Sequence, residues 1–171
     1  RIMCEWSVSY DHSIATCAAV TAAISPQCDW NRNLIIADDI LAGRSPSIGG
    51  ALNANIDKAK RLRDNDWSDT RLVFKSGPKV RNFSLNLAGD LSAVTVDTHA
   101  TQAALMDVEV TVHLRQATYD AFAEAYIRAA ESLHIAPAVF QAIVWHTWKR
   151  IYPPAVKRGR RRQWDVIGDL D

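Results

Sequence analysis

The sequence contains few cysteines and no cysteine motif. Its three cysteines, Cys4, Cys17 and Cys28, are an odd and small number, which argues against a disulfide scaffold. No Cys-x-x-Cys pair or Cys/His cluster is present, so neither a structural zinc site nor an iron–sulfur cluster is expected. The sequence therefore predicts a protein of a reducing compartment that uses no metal and no cofactor.

Long hydrophobic segments are also missing. The apolar runs are short and interrupted by polar residues, so no segment is expected to span a bilayer. Residues Arg1–Trp6 lack the apolar stretch of a signal peptide, and a chain that begins on arginine suggests a trimmed or re-engineered end. These absences lead us to expect a soluble, cytoplasmic protein.

Positive and negative charges nearly balance, and the formal net charge is +1. Near neutrality is a mild argument against a strong nonspecific DNA binder. Cationic residues nevertheless cluster near the C-terminus, at Lys157, Arg158, Arg160, Arg161 and Arg162. Such a run either binds phosphates or forms a solvated tail, and both interpretations stay open.

Helical periodicity is what the sequence has in abundance. Apolar residues make up 48% of the chain, which is enough for a core, and many recur at three-to-four spacing. Helices are predicted over residues 14–24, 31–41, 53–62, 78–88 and 119–133, and from Pro137 onward. In the last helix we expect Val139, Phe140, Ile143 and Val144 to point inward. Only Val94–Val96 alternates weakly like a strand, so the predicted class is all-α.

Three short segments stand out for their chemistry and their order. They are Ile24-Ser25-Pro26-Gln27 at a helix end, Gly77-Pro78-Lys79 at a loop-to-helix turn, and Val96-Asp97-Thr98-His99 after an apolar stretch. Lys79 and Asp97 are 18 positions apart. With Leu52–Ala59, these segments resemble, in matching order over roughly residues 12 to 150, the helix-hairpin-helix DNA glycosylases of the endonuclease III type. That family has a Ser-x-Gln near the end of an early helix, a segment often ending in Lys-Ala, a Gly-x-Lys turn, and a Val-Asp-Thr-His at this spacing.

The resemblance implies a fold and a partner. The fold would be two helical lobes flanking a DNA-binding cleft that takes a flipped nucleotide, with residues 1–156 as one domain and residues 157–171 as a basic tail. The partner would be double-stranded DNA, with no membrane. A compact, divergent member of this kind is expected from a bacteriophage, in the cytoplasm of a bacterial cell or an infected host. The recognised base and the oligomeric state stay open.

Asp97 and Lys79 are the candidate catalytic pair. An enzyme that works on a base must take it out of the stack into a pocket. Breaking the N-glycosidic bond builds positive charge on the sugar, which a carboxylate such as Asp97 stabilises. An uncharged amine near it attacks the sugar carbon and forms an imine. Lys79 is the candidate amine, and Lys75 and Arg81 are nearby cations that favour its uncharged form.

Each of these two residues also has a simpler interpretation. Asp97 is a favoured N-cap for a helix that begins at Thr98. Lys79, near a helix start, is otherwise an ordinary solvated surface lysine. The resemblance favours the catalytic role for both, and for Asp97 the two roles are compatible.

The predicted DNA contacts lie at the hairpin and at the early turn. The backbone N–H of Gly77 is expected to point at a phosphate, with Lys75, Arg81 and His99 as further DNA-binding residues. Gln27 matches the family position whose side chain fills the gap left by the flipped base. The simpler interpretations are a first-turn position for His99, which the sequence favours, and an ordinary turn residue for Gln27.

Four residues are candidates for the substrate pocket. Trp145 and Trp148 lie with His146 on the last predicted helix and are able to stack on a flipped base, while Trp30 follows the Gln27 turn. For Trp145 and Trp148 the alternative, which the sequence favours, is core packing.

The hairpin departs from the family pattern Leu-Pro-Gly-x-Gly-x-Lys. This chain reads Val73-Phe74-Lys75-Ser76-Gly77-Pro78-Lys79, so Lys75 replaces the first glycine and Pro78 removes one N–H donor. Two other functions therefore stay open. One is a phage protein of the same fold that modifies thymine-derived bases in DNA, and the other is a non-catalytic module that binds DNA or a protein.

Overall fold

The computed structural model describes residues 1–65 and 77–153. Within these residues the chain forms eight helices and no strand, which confirms the all-α class. They are α1 (Ile2–Tyr10), α2 (Ile14–Ile24), α3 (Trp30–Leu41), α4 (Asn53–Asn65), α5 (Pro78–Ala88), α6 (Thr98–Leu105), α7 (Gln116–Ser132) and α8 (Pro137–Ile151). The chain divides into two compact units, an N-terminal unit, Arg1–Thr95, and a C-terminal unit, Val96–Asp171.

The N-terminal unit is built around α2. Every residue of α2 from Thr16 to Ile24 is buried, and α1, α3, α4 and α5 each pack against this helix. Four of its buried side chains are alanines, which let neighbouring helices approach closely. A helix that is apolar all round belongs in a core, and that explains its central place.

The ends of α2 follow from the sequence. The Ser13 side chain accepts a hydrogen bond from the backbone N–H of Thr16 at 3.1 Å, which caps the first turn. The helix ends at Ile24, before Ser25 and Pro26, as predicted. Helices α3 and α4 begin and end within three residues of the predicted bounds.

A carboxylate network fixes the loop after α3. The Asp39 carboxylate accepts hydrogen bonds from the backbone N–H and hydroxyl of Ser47, at 2.7 and 2.6 Å, and from Arg44 Nε at 3.0 Å. A second guanidinium nitrogen of Arg44 bonds Asp38 at 2.8 Å. The bonds from Ser47, followed by the Arg44 charge, hold the pKa of Asp39 below its ordinary value.

The stretch Val94–Val96 is not a strand. Asparagine side chains of α5 bond the carbonyl groups at its start, because Asn82 donates to the Val94 carbonyl at 2.9 Å and Asn86 to the Ala93 carbonyl at 2.7 Å. Side-chain amides replace the ladder partner that a strand requires. The weak alternation at Val94–Val96 therefore does not correspond to a strand, in agreement with the predicted all-α class.

The C-terminal unit contains α6, α7 and α8. Tyr119, Tyr126 and Ala130 of α7 are buried. Both α6 and α7 pack against α8.

The predicted inward face of α8 is correct only in part, because Phe140 and Val144 are half-buried and Phe140 contacts Tyr126 with ring centroids 6.0 Å apart, but the other two residues are exposed. Val139 and Ile143 are 42% and 51% exposed, whereas Ala138, Gln141 and Trp148 are buried. Both sets have helical spacing, so periodicity alone does not choose between them. Packing places a glutamine on the buried face and leaves two aliphatic side chains outside.

None of the helices described in residues 1–65 and 77–153 combines the length and the apolar character needed to cross a membrane.

Candidate active site

Asp97 lies at the start of α6 and caps it. Its Oδ1 accepts a hydrogen bond from the backbone N–H of Ala100 at 2.9 Å, and its backbone is extended. This confirms the expectation that Asp97 caps a helix beginning at Thr98. The carboxylate is half-buried, so the helix N-terminus holds it while part of its surface stays open.

Trp145 binds the other oxygen of the same carboxylate. The indole Nε1–H donates to Asp97 Oδ2 at 3.1 Å, across 48 positions of sequence. Both oxygens therefore have a donor, and each keeps a second lone pair for another partner. The orientation of the carboxylate is set before any ligand binds.

Two tyrosines of α7 fix the backbone on either side of Asp97. The Val96 N–H donates to the Tyr119 hydroxyl at 3.0 Å, and the Tyr126 hydroxyl donates to the Ala100 carbonyl at 2.9 Å. Tyr119 and Tyr126 are seven positions apart, two helical turns, and so share one face of α7. Burial, with the Asp97 charge as a smaller cause, raises the pKa of Tyr126 to about 12, so this hydroxyl keeps its proton.

Aromatic and cationic groups surround Trp145. The His99 and His146 rings contact it edge-on, with centroids 6.1 and 5.0 Å from its own. The Lys149 ammonium lies over the indole, 4.1 Å from the ring centroid. Sequence reasoning missed Lys149, although its spacing of four residues from Trp145 puts both on one helix face.

The remaining pocket candidates of α8 differ in their exposure. His146 is exposed. Trp148 is 5% exposed and packs against Tyr152, with ring centroids 4.4 Å apart and the rings tilted by 46°, so it contributes to packing within its unit.

Lys79 is the second residue of α5, and its side chain is exposed. Gly77 is the N-cap and offers no side-chain bond. Because Pro78 has no N–H, the unpaired backbone donors of this turn come from its neighbours.

Arg81 is half-buried, and Lys75 lies outside the described residues, as does the basic run 157–162. Lys79 belongs to the N-terminal unit, whereas Asp97 belongs to the C-terminal unit.

Gln27 lies at the tip of an exposed turn. Its φ is +62°, a left-handed conformation that is uncommon for residues other than glycine and asparagine. The turn is closed by a bond from the Cys28 N–H to the Ser25 carbonyl at 3.2 Å. Gln27 is exposed, so its side chain is available to a partner.

Trp30 follows this turn at the start of α3. It is 44% exposed, and its ring contacts Phe83 of α5 edge-on at 6.1 Å. Trp30 belongs to the N-terminal unit, whereas Asp97 and Trp145 belong to the C-terminal unit.

Lys58 of α4 has a displaced pKa. Burial, followed by the charge of Arg61, lowers the pKa of this half-buried lysine. It lies in the segment Leu52–Ala59 that carried part of the resemblance, so sequence reasoning had pointed to the segment without assigning this residue a role.

Metal-binding geometry is not seen in the part of the chain that the structure describes, where no group of three or more His, Cys, Asp or Glu side chains could hold an ion. The contacts around Asp97 and Trp145 combine a fixed carboxylate with aromatic and cationic neighbours.

No curated protein and no solved structure is significantly similar to this chain. One family model does match, over residues 1–151, and this range includes every described helix. The chain belongs to DUF7178, a family of unknown function.

Proposed function

We propose that this protein is a DNA glycosylase that excises a damaged or modified base flipped from double-stranded DNA. The observation that carries the proposal is the Asp97 carboxylate, whose two oxygens are bonded by the Ala100 N–H and the Trp145 indole. The order of motifs from Gln27 to His99 supplies the substrate class, through its resemblance to the helix-hairpin-helix glycosylases.

A preoriented carboxylate suits this reaction. As the N-glycosidic bond breaks, positive charge develops on the sugar, and a carboxylate stabilises it best when little reorganisation is needed. The hydroxyls of Tyr119 and Tyr126 hold the backbone at Val96 and Ala100, so Asp97 meets this requirement. The oxygens retain free lone pairs that can face the sugar.

Lys79 is proposed as the amine of a lyase step. Its nitrogen attacks the anomeric carbon of the sugar, and the base leaves with the bonding electrons and takes up the proton that the amine loses. The bond from this carbon to the ring oxygen then breaks, the oxygen takes up a proton from water, and the protonated imine that results permits strand cleavage. The support for this residue is its position after Gly77 at the start of α5 and its spacing to Asp97. The exposed side chain is accessible to DNA.

The DNA contacts are proposed for the predicted residues. The Gln27 side chain would fill the gap left by the flipped base, while the backbone at Gly77 and the cations Lys75 and Arg81 would hold phosphates. His99 and His146 flank Trp145 and would line the base pocket beside it. The proposed location, the cytoplasm of a bacterial cell or a phage-infected host, follows from the same resemblance.

The test uses duplex oligonucleotides that carry candidate lesions, with borohydride present. Wild type is expected to release a base and to form a reduced covalent adduct. Lys79→Gln should lose the adduct, and Asp97→Asn should lose base release. Lys58→Gln is the matched control, because it removes a half-buried amine of the same unit and should leave trapping unchanged.

Three results would contradict the proposal. Failure of wild type to release any base from any lesion would reject the glycosylase. Trapping that survives in Lys79→Gln and disappears in Lys58→Gln would reassign the amine. Full base release by Asp97→Asn would remove the carboxylate from the reaction.

A further inference from the structure

The Lys149 ammonium is held in place but has no acidic partner in the described residues. Its Nζ lies 4.1 Å from the centre of the Trp145 ring, and the side chain is half-buried. No carboxylate of residues 1–65 or 77–153 forms an ion pair with it. A ring face attracts a cation but accepts no ordinary hydrogen bond, so the N–H donors of the ammonium stay available.

The position of Lys149 depends on Asp97 through one intermediate. Trp145 donates its indole N–H to Asp97 Oδ2 at 3.1 Å and offers its ring face to Lys149. The carboxylate therefore orients the indole, and the indole orients the ammonium. All three residues belong to the C-terminal unit.

We propose that Lys149 binds a phosphate of the nucleotide whose sugar faces Asp97. The ligand that fits is an anion with several acceptor oxygens, since an ammonium held on a ring face and paired with no carboxylate of the described residues attracts negative charge. In a nucleotide, the phosphate is directly bonded to the sugar that Asp97 would stabilise. This inference rests on the proposed action on DNA and assigns a phosphate-binding site that the family resemblance did not supply.

The proposal predicts a specific dependence of DNA binding on salt. Each phosphate contact releases counterions, so the slope of log Kd against log salt measures the number of such contacts. The probe is a labelled duplex that contains a tetrahydrofuran abasic site, which resists cleavage, and its binding is followed by fluorescence anisotropy over a series of salt concentrations. Lys149→Gln should reduce the slope by about one, and Lys149→Arg should restore it.

Two further variants test whether the change in slope depends on the position of the Lys149 ammonium or on any positive charge at the surface. Arg150→Gln removes the exposed neighbouring cation of the same turn and should change the slope less than Lys149→Gln. Trp145→Leu should reproduce the loss seen in Lys149→Gln, and adding the second substitution to the first should cause no further loss, because the two residues act together.

The outcomes distinguish this inference from the proposed function. An unchanged slope in Lys149→Gln, or an equal change in Arg150→Gln, overturns the phosphate site even if base release is intact. The expected slopes without any base release support the site and contradict the glycosylase alone. If wild type does not bind the probe at low salt, both are overturned. Should Trp145→Leu fail to fold, Lys149→Gln and Lys149→Arg still decide whether Lys149 binds a phosphate.

Discussion

The indole N–H of Trp145 donates a hydrogen bond to Asp97 Oδ2 at 3.1 Å, joining residues 48 positions apart in the chain. This bond links the start of α6 to the middle of α8. It fixes one oxygen of a carboxylate whose other oxygen caps α6. The same indole carries Lys149 on its face, so the chemistry of Asp97 and the position of a cation depend on one side chain.

Replacing Trp145 with phenylalanine removes the donor and keeps an aromatic ring. A hydrogen bond to a charged group contributes about 1.5–3 kcal/mol, and because the Asp97 carboxylate is half-buried, water can replace part of it. We expect the free energy of unfolding to fall by about 1 kcal/mol and kcat for base release to fall about tenfold, with little change in KM.

Single-turnover kinetics and urea denaturation measure these two quantities. Trp6→Phe is the control, since Trp6 packs against the core of the N-terminal unit and its loss should not alter kcat per folded molecule. Unchanged kcat in Trp145→Phe would show that the indole bond has no part in orienting the carboxylate.

Substitutions of Asp97 should separate capping from catalysis. In Asp97→Asn the amide oxygen can still accept from the Ala100 N–H, while its NH2 group faces the Trp145 donor and loses that bond. Asp97→Ala loses both bonds. We expect stability to decrease in the order wild type, Asp97→Asn, Asp97→Ala, with about 1 kcal/mol between the two variants for the lost cap, and base release to be abolished in both.

Urea denaturation of the three proteins, beside an assay of base release, provides the comparison. Equal stability of the two variants would contradict the capping contribution.

Replacing Gln27 with glycine should separate backbone strain from side-chain function. The left-handed φ of +62° costs a residue with a Cβ about 1–2 kcal/mol, whereas glycine adds about 0.5–1 kcal/mol of backbone entropy. Gln27→Gly is therefore expected to unfold at the same or a higher urea concentration than wild type, while its affinity for an abasic duplex decreases. Gln27→Asn, which tolerates this φ, is the control for a shortened amide side chain.

If Gln27→Gly binds the abasic duplex as tightly as wild type, the Gln27 side chain has no part in DNA binding. A large decrease in the stability of Gln27→Gly would contradict the prediction that the backbone at Gln27 is strained.

Tyr126 should give the protein a specific alkaline limit. Burial raises its pKa from 10.0 to about 12, so the uncharged hydroxyl is favoured in the folded state. A raised folded pKa means that this contribution to stability is complete below pH 10.0 and is lost as the pH rises through about 12. Tyr126→Phe should be less stable by about 1 kcal/mol at neutral pH, because the bond to the Ala100 carbonyl is lost, and less sensitive to alkali.

Unfolding free energies measured from neutral to alkaline pH test this, with tyrosinate absorbance reporting the titration. An identical alkaline slope in Tyr126→Phe and wild type would show that other groups set the limit.

The sequence by itself determined the helical class and most helix bounds. Turn residues such as Pro26, Gly77 and Gly89 mark where helices begin or end, and the apolar spacing between them marks the helices themselves. These signals are local in the sequence and do not depend on packing against other helices. The cap at Asp97 was predictable for the same reason, because it depends on residues three positions apart. Lys79 and Asp97 were identified as a pair by spacing and resemblance, which fix their order and leave their roles to experiment.

Only the tertiary structure decided which face of α8 is buried and what surrounds Asp97. Val139 and Ile143 have the same period as Ala138 and Gln141, so local pattern could not choose between the two faces, and packing against α6 and α7 did. The bonds of Asp97 to Trp145, and of its flanking backbone to Tyr119 and Tyr126, join positions 23 to 48 residues apart. Such contacts form only when separate helices pack, because the spacing of a single helix brings together side chains three or four residues apart.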